Sequence, residues 1–176
     1  MFKWIDVSCH NGVIDWPRVA ASGVSGAVLR AGYGNDAAQK DICFDANIKG
    51  ALAAGLKVAV YWFSYADSVD DALKEWQVCR QIILPYRGQI CFVASDYEYD
   101  SYNYYQRVHG TAPSNDLINQ MVPRRSKSGR LGHGTLHQQR LPPERFLRRD
   151  AGGVGYLACG LYRWPGCAVR HAADRK

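Results

Sequence analysis

FVASDYEYD, residues 92–100, joins an apolar run to three acidic side chains spaced two residues apart. Because side chains alternate between the two faces of a strand, we expect Asp96 and Glu98 on one face and the neighbouring tyrosines on the other. Two adjacent carboxylates repel each other, which raises the pKa of one acid while the other stays ionised. Such a pair suits glycoside hydrolysis. A calcium site or a solvated strand end is the alternative, since Asp100 adds a third acid.

The same stretch closes a series of strand and helix signals. Apolar strands are predicted at residues 3–7, 26–31, 57–65 and 90–94, and helical patterns at residues 15–23, 44–54 and 68–83. Asp15 and Ser68 are predicted to cap the first and third helices, the latter in a capping box with Asp71. Strands that alternate with helices indicate βα units and a parallel sheet, so we expect an α/β fold.

Several candidate site residues fall at predicted strand ends, where the chemistry of parallel α/β folds is located. Asp6, Tyr33 and Tyr65 lie at or near such ends, as do the two acids of residues 92–100. Trp62 and Tyr65 are candidates for stacking on sugar rings, because aromatic side chains supply flat apolar platforms. Phe63 is expected in the core.

Length and composition limit the class of protein. A chain of 176 residues with 47% hydrophobic side chains can form one domain with a core. No apolar run approaches the roughly 18 to 20 residues that span a bilayer, and residues 1–6 lack the apolar stretch of a signal peptide. We therefore expect a soluble, unprocessed protein. The six cysteines form no close C-x-x-C pair, so we expect buried thiols and not a zinc site or a disulfide framework.

Four segments repeat a known pattern in a known order. They are residues 4–12 (WIDVSCHNG), 29–34 (LRAGYG), 60–66 (VYWFSYA) and 96–98 (DYE). These segments resemble the successive strand motifs of glycoside hydrolase family 25, the bacterial and phage lysozymes that cut peptidoglycan as N-acetylmuramidases. The resemblance covers residues 3 to about 122 and implies an irregular β/α (TIM-like) barrel with a groove at the carboxyl ends of its strands. The barrel is expected to be incomplete after the fourth strand.

The resemblance also implies roles for individual residues. Glu98 would be the general acid, Asp96 the companion carboxylate and Asp6 an acid at the end of the first strand. The groove would be lined by Tyr33, Tyr61, Trp62 and Tyr65. Cleavage between N-acetylmuramic acid and N-acetylglucosamine requires a proton for the departing oxygen, so Glu98 is expected to be protonated. Attack by Asp96 and attack by the substrate's N-acetyl group both stay open. No metal or other cofactor is expected.

The family pattern stops after Val122, where the charge of the chain changes sign. Residues 1–122 carry 10 Lys and Arg against 13 Asp and Glu, whereas residues 123–176 carry 12 against 3, a net charge of +9. A basic tail suggests nucleic acid as a partner. This tail lacks interleaved aromatic residues and any recognition motif, and no strand pattern can be placed in it, so we expect no nucleic-acid partner.

The genetic code offers another origin for residues 123–176. Codons permitted for residues 137–145, read one base later, give TNNDFLRN, which resembles the segment on the family's fifth strand. Codons permitted for residues 154–165, shifted in the same way, give WDIWLADYTGG, which resembles a later family strand. We therefore infer a single-base frameshift near Val122. Residues 1–122 would form the N-terminal part of the barrel, and residues 123–176 would be out-of-frame translation without a fold of their own.

These features together predict a peptidoglycan hydrolase of bacterial or phage origin that acts on the cell wall after release or export. We expect peptidoglycan glycan strands as the partner, no membrane attachment and a monomer. An inactive truncated or frameshifted relative is one alternative. A non-catalytic peptidoglycan-binding module is another, although such a module would not need Asp96 and Glu98 together.

Overall fold

The computed structural model describes residues 3–122 and the backbone of residues 162 and 163. The strands are β1 (Trp4–Val7), β2 (Gly26–Tyr33), β3 (Lys57–Phe63), β4 (Ile90–Asp96) and β5 (Tyr162–Arg163). The α-helices are α1 (Trp16–Ala21), α2 (Phe44–Ala53), α3 (Val69–Ile83), α4 (Tyr99–His109) and α5 (Asn115–Met121). Short 3₁₀ turns occupy Cys9–Asn11, Ala37–Gln39 and Leu84–Tyr86.

The sheet confirms the predicted α/β class. Strands β1, β2, β3 and β4 run parallel and pair in sequence order. The short β5 pairs with β4 in the antiparallel direction, with Tyr162 opposite Val93 and Arg163 opposite Phe92. The sequence predicted no strand after Val122, so this pairing is a difference from expectation. The prediction for the other residues of the tail lies outside the described part of the chain.

The helices begin at the predicted capping residues. Asp15 Oδ1 accepts the backbone N–H of Arg18 at 3.1 Å, and Ser68 Oγ accepts that of Asp71 at 3.2 Å. The predicted capping box of α3 differs in its second half, because the Asp71 carboxylate accepts a hydrogen bond from Asn35 Nδ2 at 2.6 Å. No helix among the described residues is both long enough and apolar enough to cross a membrane.

The two faces of the sheet differ because side chains alternate along each strand. One face packs against α1, α2 and α3. The core there contains Val7, Leu29, Val58, Val60 and Trp62 from the strands and Trp16, Phe44, Ile48, Cys79 and Ile83 from the helices. The face away from the helices carries Asp6, Arg30 and Tyr61, of which the last two are register partners on β2 and β3. The polar side chains of the sheet are therefore concentrated on this second face.

The parallel sheet is curved. In a flat sheet β1 and β4 would lie about 14 Å apart, because neighbouring strands are separated by about 4.8 Å. The ring centroids of Trp4 on β1 and Phe92 on β4 are nevertheless 5.9 Å apart. Register shifts between Arg30 and Gly32 add to the bending of β2 against β3. The face away from the helices is therefore concave.

The cysteines match the expected buried thiols only in part. Cys79 is a buried thiol in the core, whereas Cys9 and Cys43 are half-buried thiols. Cys91 is buried at the sheet.

Replacing Gly50 with Ala is expected to destabilise the fold, although Ala is the better helix former. A Cβ atom at this position of α2 would overlap Trp16 Cδ1, and the Trp16 side chain is 5% exposed with little room to move. Overpacking of this kind lowers the free energy of unfolding by about 1 to 3 kcal/mol. Urea unfolding checks this, with Gly88→Ala as the control because a Cβ there meets nothing within 4 Å. Equal stability of the two variants would contradict it.

Candidate active site

Two acidic residues, one on β1 and one on β4, act on the same tyrosine of β3. Asp6 is the next-to-last residue of β1, Asp96 is the last residue of β4, and Tyr61 lies on β3 between them. The Tyr61 hydroxyl donates a hydrogen bond to the Asp6 carboxylate and also lies in the field of Asp96. Asp6 is exposed, whereas Asp96 is 7% exposed. Tyr61 is therefore hydrogen-bonded to the acid of β1 and lies within the electrostatic influence of the acid at the end of β4.

The surroundings of Tyr61 keep its hydroxyl neutral. Burial is the largest cause, and it raises the pKa of Tyr61 well above its ordinary value. The negative charges of Asp6 and Asp96 and the hydrogen bond to Asp6 raise the pKa further, whereas the positive charge of Arg30 opposes them. Tyr61 is therefore a proton-bearing donor between two acids.

Glu98 lies beyond β4 and not on its face, which corrects the predicted alternation. The strand ends at Asp96, and Glu98 is the N-cap residue of α4, where its backbone N–H donates to Ser101 Oγ at 3.1 Å. Tyr97 is 2% exposed, and Tyr99 is already the first residue of α4. The alternation of side chains stops at the end of β4. Asp96 and Glu98 are therefore connected by a turn and do not lie on one face of a strand. Glu98 is half-buried at the carboxyl end of the sheet.

A buried ion pair that the sequence did not reveal supports the turn after β1. Arg30 Nε lies 2.8 Å from Asp41 Oδ2, and the Asp41 side chain is fully buried. The same carboxylate accepts the backbone N–H of Cys9 at 3.0 Å and that of Cys43 at 2.9 Å. The pair therefore ties β2 to the turn that follows Asp6. A charged residue inside an apolar strand was the available signal, because a buried charge requires a partner.

Hydrogen bonds determine the charge state of this pair. Burial alone would raise the pKa of Asp41, but the hydrogen bonds from the Cys9 N–H, Arg30 and the Cys43 N–H outweigh burial and lower it. Burial also works against the charged form of Arg30, yet its hydrogen bond to Asp41 and the attraction between the two charges raise its pKa. Both groups are charged at neutral pH, so Arg30 places a positive charge beside Tyr61.

Four aromatic rings, which we call the aromatic wall, stand at the carboxyl ends of β2 and β3. The ring of Tyr65 is at the centre of the wall. Its centroid lies 6.2 Å from Tyr33, 5.1 Å from Phe63 and 5.6 Å from Tyr104 of α4. The structure thus places the predicted groove residues Tyr33 and Tyr65 side by side. It adds Tyr104, which sequence inspection missed because α4 was not predicted.

Trp62 is not part of the aromatic wall, which corrects its predicted position in the groove. Its side chain is 3% exposed within the core, and Nε1 donates to the Gly34 carbonyl oxygen at 2.9 Å. Successive strand residues face opposite sides of a sheet, so Tyr61 and Trp62 cannot both line one groove. The same alternation places Phe63, which we expected in the core, on the aromatic wall.

A polar cavity of about 470 Å³ adjoins the aromatic wall. Tyr65 lines one side, and the other lining residues come from α4, namely Asp100, Asn103, Gln106 and Arg107. Burial, followed by the negative charge of Asp100, raises the pKa of Tyr65. The cavity therefore has one acidic side chain, one basic side chain, two amide side chains and one aromatic ring in its lining. At this cavity and throughout residues 3–122, no three His, Cys, Asp or Glu side chains form a group that could hold a metal ion.

A buried glutamate on α3 contacts the loop that carries Tyr65, the central residue of the aromatic wall. Glu75 is 3% exposed, and its carboxylate accepts the Ser64 hydroxyl at 2.6 Å and the Tyr65 backbone N–H at 2.8 Å. Burial raises the pKa of Glu75 to about 7, although the hydrogen bonds from the loop after β3 act to lower it. Its spacing of four residues from the buried Cys79 places it on the inward stripe of α3, and sequence inspection overlooked this signal.

Replacing Glu75 with Gln is expected to remove a pH dependence of stability. The pKa of Glu75 is about 7 in the fold against an ordinary value of 4.5, so between these values the folded chain retains a proton that the unfolded chain loses. The contribution is present below the unfolded pKa and is lost as the pH rises through 7. Relative to the variant, wild type should lose about 3 kcal/mol of unfolding free energy over this range.

Urea unfolding of wild type and Glu75→Gln below pH 4.5 and above pH 7 measures this difference. Using the difference between the two proteins removes the contribution of other titrating groups. A wild-type minus variant difference that does not change with pH would show that Glu75 has the same pKa in the folded and unfolded chains.

Comparisons with known proteins agree with the α/β fold. A sequence model of Glycosyl hydrolases family 25 matches residues 5–127, whereas no curated protein matches the chain significantly. The modular autolysin LytC from Streptococcus pneumoniae is similar in structure, with a TM-score of 0.55 and 28% identity over 68% of this chain and 27% of that one. The CTP1L endolysin is similar in fold, with a TM-score of 0.50 and 22% identity over 62% of this chain and 41% of that one.

The chain spans about a quarter of the length of the LytC structure that it matches. The match to the family, in contrast, extends over most of this chain and includes all of β2, β3 and β4, β1 from Ile5 onward, and the acids Asp6 and Asp96. The chain therefore belongs to glycosyl hydrolases family 25.

Proposed function

We propose that this chain is a peptidoglycan hydrolase that cleaves the β-1,4 bond between N-acetylmuramic acid and N-acetylglucosamine. The observation that carries the proposal is that Asp6, near the carboxyl end of β1, and Asp96, at the carboxyl end of β4, both act on Tyr61. Glu98 follows Asp96 by two residues. Family membership supplies the reaction class. LytC, the relative with 28% identity, is an autolysin that has been solved with a synthetic peptidoglycan ligand.

In the proposed reaction Glu98 donates a proton to the glycosidic oxygen, and the bond from that oxygen to the anomeric carbon breaks. Asp96, as a buried carboxylate, stabilises the positive charge that develops on the sugar. Either Asp96 or the substrate's own N-acetyl oxygen forms the bond to the anomeric carbon, and water then displaces it and returns a proton to Glu98. Tyr61 orients the Asp6 carboxylate through its hydrogen bond.

The aromatic wall is the proposed sugar-binding surface. Tyr33 is 37% exposed and Tyr65 is half-buried, so both rings retain surface for a pyranose ring. Tyr61 contributes a hydroxyl group beside Asp6, to which it is hydrogen-bonded. The adjoining cavity offers Asn103 and Arg107 to polar substituents of the substrate.

Digestion of purified peptidoglycan tests the proposed reaction. The released glycans are reduced with borohydride and identified by mass spectrometry, and new reducing ends are expected on N-acetylmuramic acid. New ends on N-acetylglucosamine would assign a different reaction. The same assay is applied to this chain and to a version whose reading frame is restored after Val122. If both bind peptidoglycan but release no glycans, a binding module would be favoured.

We also propose that residues 1–122, with the four parallel strands, form the N-terminal part of an irregular, TIM-like β/α barrel. The 5.9 Å distance between the Trp4 and Phe92 rings supports this proposal, because side chains of two strands that are separated by two others come together more readily when the sheet curls. Each of β1, β2 and β3 is followed by a helix on the same face, as a barrel of this type requires.

For residues 123–176 we propose an origin in a single-base frameshift near Val122. The reversal of charge supports it, as does the end of the family match at residue 127. On this proposal full activity belongs to the protein with its frame restored, a monomer that reaches the cell wall after release or export. Sequencing of the gene tests the proposal, and an uninterrupted frame with no base added or missing would end it.

A further inference from the structure

Glu75 is a buried acid that the proposed reaction does not use. It lies in the middle of α3, and its two carboxylate oxygens have separate partners on the loop after β3. Oε2 accepts the Ser64 hydroxyl at 2.6 Å, and Oε1 accepts the Tyr65 backbone N–H at 2.8 Å. Ser64 is 4% exposed, so water cannot readily replace the carboxylate as its partner.

The loop that Glu75 holds connects both halves of the candidate site. The Ser64 N–H donates to the backbone oxygen of Asp96 at 2.8 Å, which joins the loop to the end of β4. The Ala66 N–H donates to Ser64 Oγ at 3.2 Å, so the Ser64 side chain is fixed from two sides. Tyr65, the next residue, carries the central ring of the aromatic wall.

We propose that Glu75 is a positioning residue for the active site. It accepts hydrogen bonds from Ser64 and Tyr65 and thereby fixes the aromatic wall relative to the end of β4. This inference rests on the proposed function, because the wall matters only if it binds the glycan. Glu75 acts through its neighbours, since its carboxylate faces the interior of the protein. Two acceptor atoms on one planar group suit the task, because the loop presents a hydroxyl and an N–H to the same side chain.

Amide hydrogen exchange of the full chain measures the positioning directly. In Glu75→Leu the two donors lose their acceptor, and exchange at Tyr65 and Ala66 is expected to become at least about tenfold faster. Glu75→Gln keeps an acceptor for the Tyr65 N–H and a polar contact for Ser64, so its exchange should stay within about threefold of wild type. Asp70→Asn is the matched control, because it removes an exposed acid from the same helix.

Ser64→Ala keeps the test decisive if Glu75→Leu does not fold. It removes one of the two hydrogen bonds, so exchange at Tyr65 is expected to fall between wild type and the full loss. Unchanged exchange at Tyr65 in a folded Glu75→Leu chain, or in Ser64→Ala where the former does not fold, would overturn the positioning role. Equally fast exchange in Glu75→Leu and Glu75→Gln would overturn it as well.

Binding of a tetrasaccharide of alternating N-acetylglucosamine and N-acetylmuramic acid supplies the functional readout. By isothermal titration, the Kd is expected to rise at least about fivefold in Glu75→Leu and to stay near wild type in Glu75→Gln, which isolates the hydrogen bonds from the charge. An unchanged Kd in Glu75→Leu would overturn the positioning role. Absence of tetrasaccharide binding by both this chain and its frame-restored version would instead contradict the proposed function, and the exchange rates would still decide what Glu75 holds.

Discussion

Glu98→Gln is expected to lower the rate of glycan cleavage by about 10² to 10⁴, which is the contribution of general acid catalysis. The amide has nearly the shape of the carboxyl group but cannot supply a proton to the departing oxygen. Because Glu98 is the N-cap residue of α4 and lies outside the hydrophobic core, the fold should be retained. The measurement is the release of reducing ends from peptidoglycan by the frame-restored protein and its variant.

Asp116→Asn is the matched control for this experiment. Asp116 is an exposed acid in the first turn of α5, so the control removes one surface charge to which no role in the site is assigned. Its rate should equal that of the unmodified protein. Retention of more than about a tenth of the rate by Glu98→Gln would be too large for loss of the general acid and would remove Glu98 from that role.

Asp41→Ala is expected to lower the free energy of unfolding by about 3 to 5 kcal/mol, since it removes one partner of a buried ion pair. The change leaves the Arg30 guanidinium with 13% side-chain exposure and no carboxylate, and it also deprives the N–H groups of Cys9 and Cys43 of their acceptor. Urea unfolding monitored by circular dichroism measures the loss.

The double variant Arg30→Met with Asp41→Leu separates the two causes of that loss. It removes both charges while keeping side-chain volume, so it should be more stable than Asp41→Ala even though the two backbone donors stay without their acceptor. A loss of less than about 1 kcal/mol in Asp41→Ala would be typical of a surface pair and would contradict the buried character of this one.

Local patterns were sufficient to predict the order of the parallel strands and the three helices between them. Hydrophobic periodicity and capping are short-range, and α2 begins at Phe44 as predicted. The predicted ends of strands were less accurate where they depend on pairing with another strand. β2 continues two residues beyond its predicted end because Gly32 and Tyr33 pair with Trp62 and Phe63 of β3, and the local glycine pattern contains no information about that pairing.

Sequence patterns proposed acids for the candidate site but did not predict its geometry. Asp6, Asp96 and Glu98 were all proposed, but the beginning of α4 at Tyr99 replaced the expected strand alternation. The error at Trp62 was avoidable, since alternation alone separates it from Tyr61. The contacts of Arg30 with Asp41 and of Glu75 with Ser64 join separate elements, and single-residue patterns do not reveal which distant groups meet.

Trp4 and Phe92, whose rings meet across the concave face, are 88 residues apart in the sequence, at positions 4 and 92. Contacts between distant residues form slowly, because a long loop must close before they gain any attraction. During synthesis on the ribosome, β1 emerges long before β4 and has no ring to pack against. The curvature of the sheet is therefore expected to develop late, and the fluorescence of Trp4 should change in the slowest phase of refolding.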